Sequence, residues 1–292
     1  MPTPIFVLGA PRTGTTWLAN ILCRHKEIAG IQANRHFGIH ESGFFWFLKD
    51  RFGSLEDIEN YNKLVDTFVK SDYFIISGLN KSLFFESPRP KTYQDFFRRF
   101  MDKYAEKESS KYWLEKTPYH SLYVKELSDY YPDAIFISIE RDVVDKIKSH
   151  LKQHEKSSKL DSKLKGIIKG IISYRIVKVY LDELDKLPNK SVRLTFEELK
   201  NNKENTIQNL FRNLELNYYK ELLEDKYRPN TSFSSKEERK SVLSNNEIKF
   251  IRKLFWLTSF MPSQIYKTIA KLYLSRCKYV DPPDWFWRKD RS

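Results

Sequence analysis

The strongest constraint on the fold is a strand–loop–helix pattern near the start of the sequence. Residues 4–8 form a short apolar run, PIFVL, of the kind that lies buried in a parallel sheet. Residues 9–14 break this run with two glycines, and residues 15–24 continue with the apolar spacing of a helix. A strand that leads through a glycine-containing loop into a helix is typical of α/β proteins.

The same alternation continues along the chain. Three further strands are predicted at residues 112–115, 134–139 and 191–194, and helical spacing separates them. We therefore predict an α/β fold of the P-loop-like, three-layer kind, in which helices flank a central parallel sheet within one domain over residues 1–292. Ligands of such sheets bind at the carboxyl ends of the strands, where polar and charged residues follow each predicted strand here.

A helical insert is predicted at about residues 38–110. Thr92 and Asp95 resemble a capping box, and large apolar side chains follow at the spacing of one helix face. We expect this stripe to belong to the core. Its members are Tyr93, Phe96, Phe97, Phe100, Met101 and Tyr104.

Composition narrows the class of protein. Lys and Arg number 51 against 38 Asp and Glu, so the net charge is +13 and anionic partners are expected. Cys23 and Cys277 cannot form a disulfide framework, and no Cys/His cluster has zinc spacing. No apolar run approaches the roughly 20 residues of a membrane span, and the N-terminus lacks the basic stretch of a signal peptide. We therefore expect a cytoplasmic protein.

The first loop has the layout of an anion-binding site. Backbone N–H groups at a helix start bind anions, Thr15 and Thr16 add hydroxyl donors, and Arg12 adds a guanidinium group. A nucleotide triphosphatase carries Lys in the loop position that Thr15 occupies here. This difference argues against an ATPase or GTPase of the usual design, while an ordinary strand–helix turn remains the simpler alternative for the glycine spacing alone.

The string PIFVLGAPRTGTTWL resembles the 5′-phosphosulfate loop of sulfotransferases that use 3′-phosphoadenosine 5′-phosphosulfate (PAPS). It is most similar to the branch that includes bacterial, carbohydrate and tyrosyl-protein sulfotransferases. The resemblance implies that cofactor-binding residues lie in this loop and the start of its helix. They are Arg12, Thr13, Gly14, Thr15, Thr16 and Trp17.

A second signature of this family resembles residues 134–149, AIFISIERDVVDKIKS. Arg141 ends the predicted strand and Ser149 lies about two helical turns further on, so both side chains can converge on one phosphate. The resemblance assigns them to the 3′-phosphate of PAPS. The alternative is a surface arginine that pairs with Asp142 or Asp145.

Other parts of the family pattern are present with changes. Residues 115–118, EKTP, place Lys116 at the end of a predicted strand. The resemblance implies that Lys116 reaches the sulfuryl group or its bridging oxygen. The alternative is a lysine that is exposed to solvent. Phe196 stands where many members have Tyr. Residues 234–247 resemble the basic loop that closes over the cofactor, with Ser241 in place of its Gly, and imply Arg239 and Lys240 as further 3′-phosphate ligands.

The implied reaction moves the sulfuryl group of PAPS to a hydroxyl or amine and releases PAP. By analogy with phosphoryl transfer, it requires in-line attack, a base and cations at the leaving oxygen, for which Lys116 and Arg12 are the candidates. We expect no metal, because a sulfuryl group carries less charge than a terminal phosphate. Glu41 is the first candidate for the base, followed by His40, His36 and His120. The alternative to a catalytic role is that Glu41 is a carboxylate at the start of a helix, where it interacts with the helix dipole.

Two rival functions and the acceptor stay open at this stage. A basic nucleic-acid-binding protein would explain the positive charge, although no nucleic-acid-binding motif is present. A small-molecule kinase would be consistent with the fold. We expect a glycan, lipid or small metabolite as acceptor, and no nucleic-acid partner. The basic, aromatic tail at about residues 248–292 predicts either a helix pair packed on the core or a surface for anionic lipid or a partner subunit. The sequence sets no oligomeric state.

Overall fold

The computed structural model describes residues 1–156, 162–224 and 242–287 of the chain. A five-stranded sheet forms its centre, in the order β2-β5-β1-β6-β7, and every neighbouring pair is parallel. A short antiparallel hairpin joins β3 and β4. The strands are β1 Thr3–Leu8, β2 Ile28–Gly30, β3 Gln32–Ala33, β4 Gly38–Ile39, β5 Tyr112–Glu115, β6 Ile135–Glu140 and β7 Ser191–Thr195.

Helices connect the strands and cover the sheet. They are α1 Thr15–Leu22, α2 Ile58–Phe68, α3 Asp72–Ser77, α4 Tyr93–Lys107, α5 Val124–Tyr130, α6 Val143–Lys156, α7 Lys163–Leu181, α8 Phe196–Asn201, α9 Lys203–Asn213, α10 Asn245–Leu257 and α11 Ser263–Cys277. A π-helical turn lies at Phe44–Leu48. The α/β fold with a central parallel sheet is confirmed.

The central strand shows why the sheet is covered on both faces. Ile5 and Val7 of β1 pack in one buried cluster, whereas Phe6 and Leu8 pack in the other. Because successive side chains of a strand point to opposite faces, a continuous apolar run is buried on both sides only between two layers of helices. The sheet is therefore the middle of three layers.

The predicted helical insert is mostly helical but begins differently. The β3–β4 hairpin and the π-helical turn precede α2, α3 and α4. The expected aromatic stripe of α4 is buried, and Phe96 stacks on Phe84 with ring centroids 4.2 Å apart. The Thr92 side chain accepts from the Asp95 N–H, which fixes the start of α4.

The described part of the last third of the chain is mainly helical. After β7 the chain forms α8 and α9, which divide at Asn202, and Thr195 with Glu198 forms a capping box at the start of α8. The tail forms the helix pair α10 and α11, which contacts α6 and α7. Among the described residues, none of the helices combines the length and apolarity that crossing a bilayer requires.

Candidate active site

The carboxyl ends of β1, β5 and β6 border a cleft of about 430 Å³. Loops that follow these strands, the first turns of α1 and the C-terminal segment form its walls. The lining residues are Pro11, Arg12, Gly14, Thr15, Thr16, Trp17, Asn20, His36, Phe37, Glu41, Trp46, Pro118, Tyr119, Arg141, Ser149, Gln153, Phe196 and Trp285.

The loop after β1 has a backbone that turns α1 toward the cleft. Gly14 has a φ of 104°, and a Cβ there would lie 2.6 Å from the Phe196 ring, so the position requires glycine. Thr13 is buried and its hydroxyl donates to the Ala10 carbonyl over 2.8 Å, which ties the loop together. Among the predicted loop residues, Thr13 therefore shapes the cradle while Thr15 and Thr16 line it.

The N-terminus of α1 suits a negatively charged ligand. No side chain caps it, and its first turn holds no acidic residue. The partial positive charge of the helix end and the hydroxyls of Thr15 and Thr16 thus face the cleft without an internal anion.

Arg12, Ser149 and Arg141 lie together. The Arg12 Nε donates to Ser149 Oγ over 3.0 Å, and an Arg141 Nη1 donates to the Arg12 carbonyl over 3.1 Å. Burial lowers the pKa of Arg12, and the nearby charge of Glu41 acts in the opposite direction. The side chains expected at the two phosphate ends of the cofactor are therefore joined directly through Arg12.

Arg141 is held in place by contacts with two aromatic residues, Phe196 and Tyr174. Its guanidinium lies 4.0 Å from the centre of the Phe196 ring, and the Tyr174 hydroxyl accepts from the backbone N–H of Arg141 over 3.1 Å. Trp17 meets Phe196 edge-on with centroids 5.6 Å apart. Arg141 is buried, which contradicts the surface-arginine alternative, and two aromatic rings stand beside it.

Glu41 and Lys116 form an ion pair beside the cleft. The Lys116 Nζ donates to Glu41 Oε1 over 2.7 Å. The Lys116 side chain is only 1% exposed, whereas Glu41 is 31% exposed and lines the cleft. Lys116 is therefore not a solvated lysine, and Glu41 does not start a helix, because Gly43 precedes the π-helical turn.

A buried carboxylate fixes this ion pair. Glu115 Oε1 accepts from the hydroxyls of Ser42 over 2.8 Å and Thr117 over 2.6 Å. His120 Nε2 accepts from the Phe45 N–H over 3.2 Å, so its Nδ1 carries the proton that is donated to Glu115 Oε2 over 2.6 Å. Burial alone would raise the pKa of Glu115, but His120 and the hydroxyl donors outweigh it and lower the pKa. Both nitrogens of His120 are thus engaged away from the cleft.

His36 and His40 belong to a second cluster around Asp72. The His36 Nε2 lies 2.6 Å from Asp72 Oδ2, and Arg35 also binds this carboxylate. Burial lowers the pKa of His40 to about 3, with a further contribution from His36. His40 is therefore neutral at physiological pH and does not line the cleft, whereas His36 does.

The same three residues have the composition of a metal site, since one ligand atom from each of His36, His40 and Asp72 lies within 4.8 Å of the others. The two imidazole rings, however, are stacked with centroids 3.7 Å apart and planes 17° apart. Ring lone pairs lie in the ring planes, so two nearly parallel planes cannot both direct them at one ion. In this arrangement the cluster is a hydrogen-bonded ion pair.

Several lining residues had no sequence signal. Trp46, Tyr119 and Trp285 form an aromatic wall, in which the centroids of Trp46 and Tyr119 are 4.0 Å apart and those of Trp46 and Trp285 are 6.3 Å apart. Asn20 projects from α1, donates to the Phe37 carbonyl and accepts from the Ile39 N–H, each over 2.8 Å. Its position on a helix predicted only as apolar concealed this role.

Two predicted ligands, Arg239 and Lys240, lie outside the described residues. The other predicted residues divide between the wall and its support. Those in the wall are Arg12, Gly14, Thr15, Thr16, Trp17, His36, Glu41, Arg141 and Ser149, and those behind it are Thr13, His40, Lys116 and His120.

Comparison with known proteins identifies the family of the chain. A profile described as the Sulfotransferase family matches residues 4–221, and the chain therefore belongs to this family. No curated protein sequence matches the chain. The expected assignment to PAPS-dependent sulfotransferases is confirmed: the protein is a sulfotransferase, and family membership supports PAPS as donor and PAP as product.

Solved structures show the same fold at low sequence identity. The sulfotransferase domain from the curacin biosynthetic pathway is 18% identical with a TM-score of 0.53, and the match covers 94% of this chain and 98% of that one. The sulfotransferase domain of the Synechococcus PCC 7002 olefin synthase is 14% identical with a TM-score of 0.53, covering 97% and 96%. Sulfotransferase STF1 from Mycobacterium tuberculosis is 12% identical with a TM-score of 0.50, covering 87% and 76%.

Proposed function

We propose that the cleft transfers the sulfuryl group of PAPS, without a metal, to a hydroxyl or amine of a glycan, lipid or small metabolite. One observation carries this proposal: a single cleft holds an uncapped helix start, the buried Arg141, the half-buried Arg12 and one carboxylate. The cations suit a donor with several negative charges, and the carboxylate suits an acceptor that must lose a proton.

The residues present fit PAPS. Thr15, Thr16 and the α1 N-terminus would hold the 5′-phosphosulfate, and Arg141 with Ser149 would hold the 3′-phosphate. The Trp17 and Phe196 rings, which meet edge-on, provide an apolar corner against which the adenine would pack. When bound, PAPS supplies an activated sulfuryl group whose leaving group is PAP.

Glu41 is proposed to accept the acceptor's proton. It is the only carboxylate among the described residues that line the cleft, and Lys116 orients it. Lys116 and Arg12 remain the predicted cations for the leaving oxygen, and the Glu41–Lys116 contact places the proposed base next to one of them. The chain's own cations thus provide the charge stabilisation that a metal gives in phosphoryl transfer.

The aromatic wall is proposed to bind the acceptor. Trp46, Tyr119 and Trp285 place aromatic surfaces in the same cleft as Glu41. Such surfaces pack against sugar rings and lipid-like groups, and they contribute few hydrogen bonds. This wall favours sulfuryl transfer to such acceptors over the kinase and nucleic-acid alternatives.

Titration calorimetry with PAP tests the proposal. Wild type is expected to bind PAP, and Arg141→Ala to bind it more than tenfold more weakly, since a hydrogen bond to a charged group contributes about 1.5–3 kcal/mol. Arg212→Ala, an exposed arginine of α9, is the matched control and is expected to bind like wild type. Wild type that does not bind PAP would contradict the proposal.

A further inference from the structure

The α10–α11 pair leaves a large apolar surface uncovered. Single exposed apolar side chains are common, but contiguous patches mark interaction sites. We call this surface the C-terminal apolar face. Its members are Trp256, Leu257, Phe260, Met261, Ile265, Ile269, Leu272 and Tyr273, each 38–68% exposed.

Helix periodicity places four of these residues on one side of α11, and the rings of Trp256 and Phe260 before it contact each other with centroids 4.8 Å apart. Ile265, Ile269, Leu272 and Tyr273 recur at the i, i+4, i+7, i+8 spacing of one side of α11. The adjoining side of the helix is buried through Tyr266, whose hydroxyl donates to the Thr258 carbonyl over 2.6 Å. One side of α11 therefore packs on the protein, while a second apolar side faces solvent.

The charge around this face has one sign. Residues 248–280 contain seven Lys and Arg and no Asp or Glu. Lys267 pairs with Glu183, whereas Lys249, Arg252, Lys253, Lys271 and Arg276 form no ion pair with any residue the structure describes. Aliphatic and aromatic side chains are thus surrounded by uncompensated positive charge.

This combination selects one occupant. A nucleic acid would leave Leu257, Ile265 and Leu272 without a function, because aliphatic side chains contribute little to phosphate binding. A second copy in a two-fold dimer would bring the same set of cations together on both sides. An anionic bilayer satisfies every component: aliphatic groups enter the acyl boundary, aromatic rings lie at headgroup depth, and Lys and Arg meet the lipid phosphates.

The face is also connected to the cleft. The Tyr273 ring of α11 packs against Tyr119, with centroids 5.7 Å apart, and against Trp46 at 6.5 Å. Both partners line the cleft. A membrane that contacted α11 would therefore lie beside the aromatic wall.

We propose that the C-terminal apolar face attaches the protein to the surface of an anionic lipid bilayer. The attachment stands independently of sulfuryl transfer, because none of the face residues lines the cleft. Its failure and the failure of the proposed function are therefore separate results.

Co-sedimentation of the full chain with vesicles tests this proposal. Binding is expected to vesicles that contain phosphatidylglycerol, to weaken as salt increases, and to be much weaker to pure phosphatidylcholine. Neutralising Arg252 or Lys271 to Gln is expected to lower the vesicle affinity about fivefold for each cation removed.

Apolar variants provide the matched comparison. Trp256→Ser and Phe260→Ser are expected to reduce vesicle binding, while Phe85→Ser retains it, because Phe85 is 60% exposed and Trp256 59% but only Trp256 belongs to the face. PAP affinity and circular dichroism confirm that each variant is folded. Equal binding by Trp256→Ser and Phe85→Ser would overturn the proposal. So would absence of vesicle binding by wild type, or a dimer in light scattering that Trp256→Ser dissociates without any effect of lipid.

Discussion

At the scale of single residues, Glu41 has the most specific predicted role. Glu41→Gln keeps an oxygen for Lys116 to contact but removes the capacity to accept a proton. We expect the turnover rate to fall about 100-fold or more, the usual contribution of a general base, with PAP affinity nearly unchanged. Sulfated products from a metabolite extract, identified by mass spectrometry, first define the acceptor for this measurement.

The control for this prediction is Glu56→Gln, an exposed carboxylate away from the cleft, which is expected to turn over like wild type. Glu41→Gln with wild-type turnover would transfer the role to another group. His36 would then be tested next, because it lines the cleft whereas His40 is buried behind it.

Lys146 gives a residue-scale prediction about pH. Burial lowers the pKa of this α6 side chain to about 7, and its Nζ donates to the Gly170 carbonyl over 2.8 Å. The unfolded chain, with an ordinary lysine pKa near about 10.4, therefore binds more protons than the folded chain between these values. Stability should consequently rise with pH above 7, by at most about 1.4 kcal/mol per pH unit from this group.

Urea denaturation of wild type and Lys146→Met between pH 7 and about 9.5, below the ordinary lysine pKa, measures this contribution. The difference in unfolding free energy between the two proteins should grow in favour of wild type as pH rises. Lys148→Met, on the same helix and 3.9 Å from Asp145, is the control and should run parallel to wild type. A constant difference for Lys146→Met would contradict the lowered pKa.

Site residues could be predicted from the sequence where they lie together in one short motif. Arg12, Thr15 and Thr16 lie within one turn, and Arg141 and Ser149 within one strand–helix unit. Trp285 lies far along the chain, and long-range contacts bring it to the cleft, among them the Phe286 carbonyl, which accepts from the Asp72 N–H over 2.8 Å. Contacts between distant segments leave no periodic trace in a sequence.

At the scale of elements, the cleft depends on a clamp between two loops. Glu115 at the end of β5 binds Ser42 in the loop that carries Glu41, and Thr117 in the loop that carries Lys116. The ion pair is thus positioned by a neighbouring buried carboxylate that never contacts the cleft. His120, a minor candidate for the base, has both ring nitrogens in this clamp.

Substitutions in the clamp should therefore affect both stability and turnover. Glu115→Gln is expected to lower the free energy of unfolding by about 3 kcal/mol, because a neutral amide replaces a buried carboxylate that accepts hydrogen bonds from Ser42, Thr117 and His120. Ser42→Ala removes one neutral donor and should cost about 1 kcal/mol. Urea denaturation measures both values, and turnover should fall more than PAP affinity in each variant. A Glu115→Gln protein as stable as Ser42→Ala would show that the charge of Glu115 does not strengthen these hydrogen bonds.

Elements were predicted best where the apolar pattern is long. The strands β1, β5, β6 and β7 agree with prediction to within one residue at each end, because their runs are buried on both faces or bounded by polar turns. The edge strand β2 was missed, since Ile28–Gly30 is three residues long and gives no periodicity. The order of the strands follows from crossover packing, which single segments do not encode.

At the scale of the whole molecule, the net charge of +13 has two separate locations. Arg12 and Arg141 place positive charge in the cleft, and residues 248–280 place seven cations on the C-terminal surface. Composition alone could not separate these two, and it first suggested a nucleic-acid partner equally well. Only the placement of charges on different elements distinguishes a donor site from a docking surface.

Because cations line the cleft, we expect PAP binding to raise the thermal stability of the whole protein. A ligand that binds only the folded state stabilises it by about 2.7 kcal/mol at about 100 times its Kd. For a chain of this size that corresponds to a rise in Tm of about 5 °C with PAP. AMP lacks the 3′-phosphate that Arg141 and Ser149 are proposed to bind, so at the same concentration its shift should be much smaller. In Arg141→Ala the difference between PAP and AMP should largely disappear, whereas Arg212→Ala should keep it. Equal shifts by PAP and AMP in the wild type, measured by scanning calorimetry, would remove the 3′-phosphate from the role assigned to Arg141.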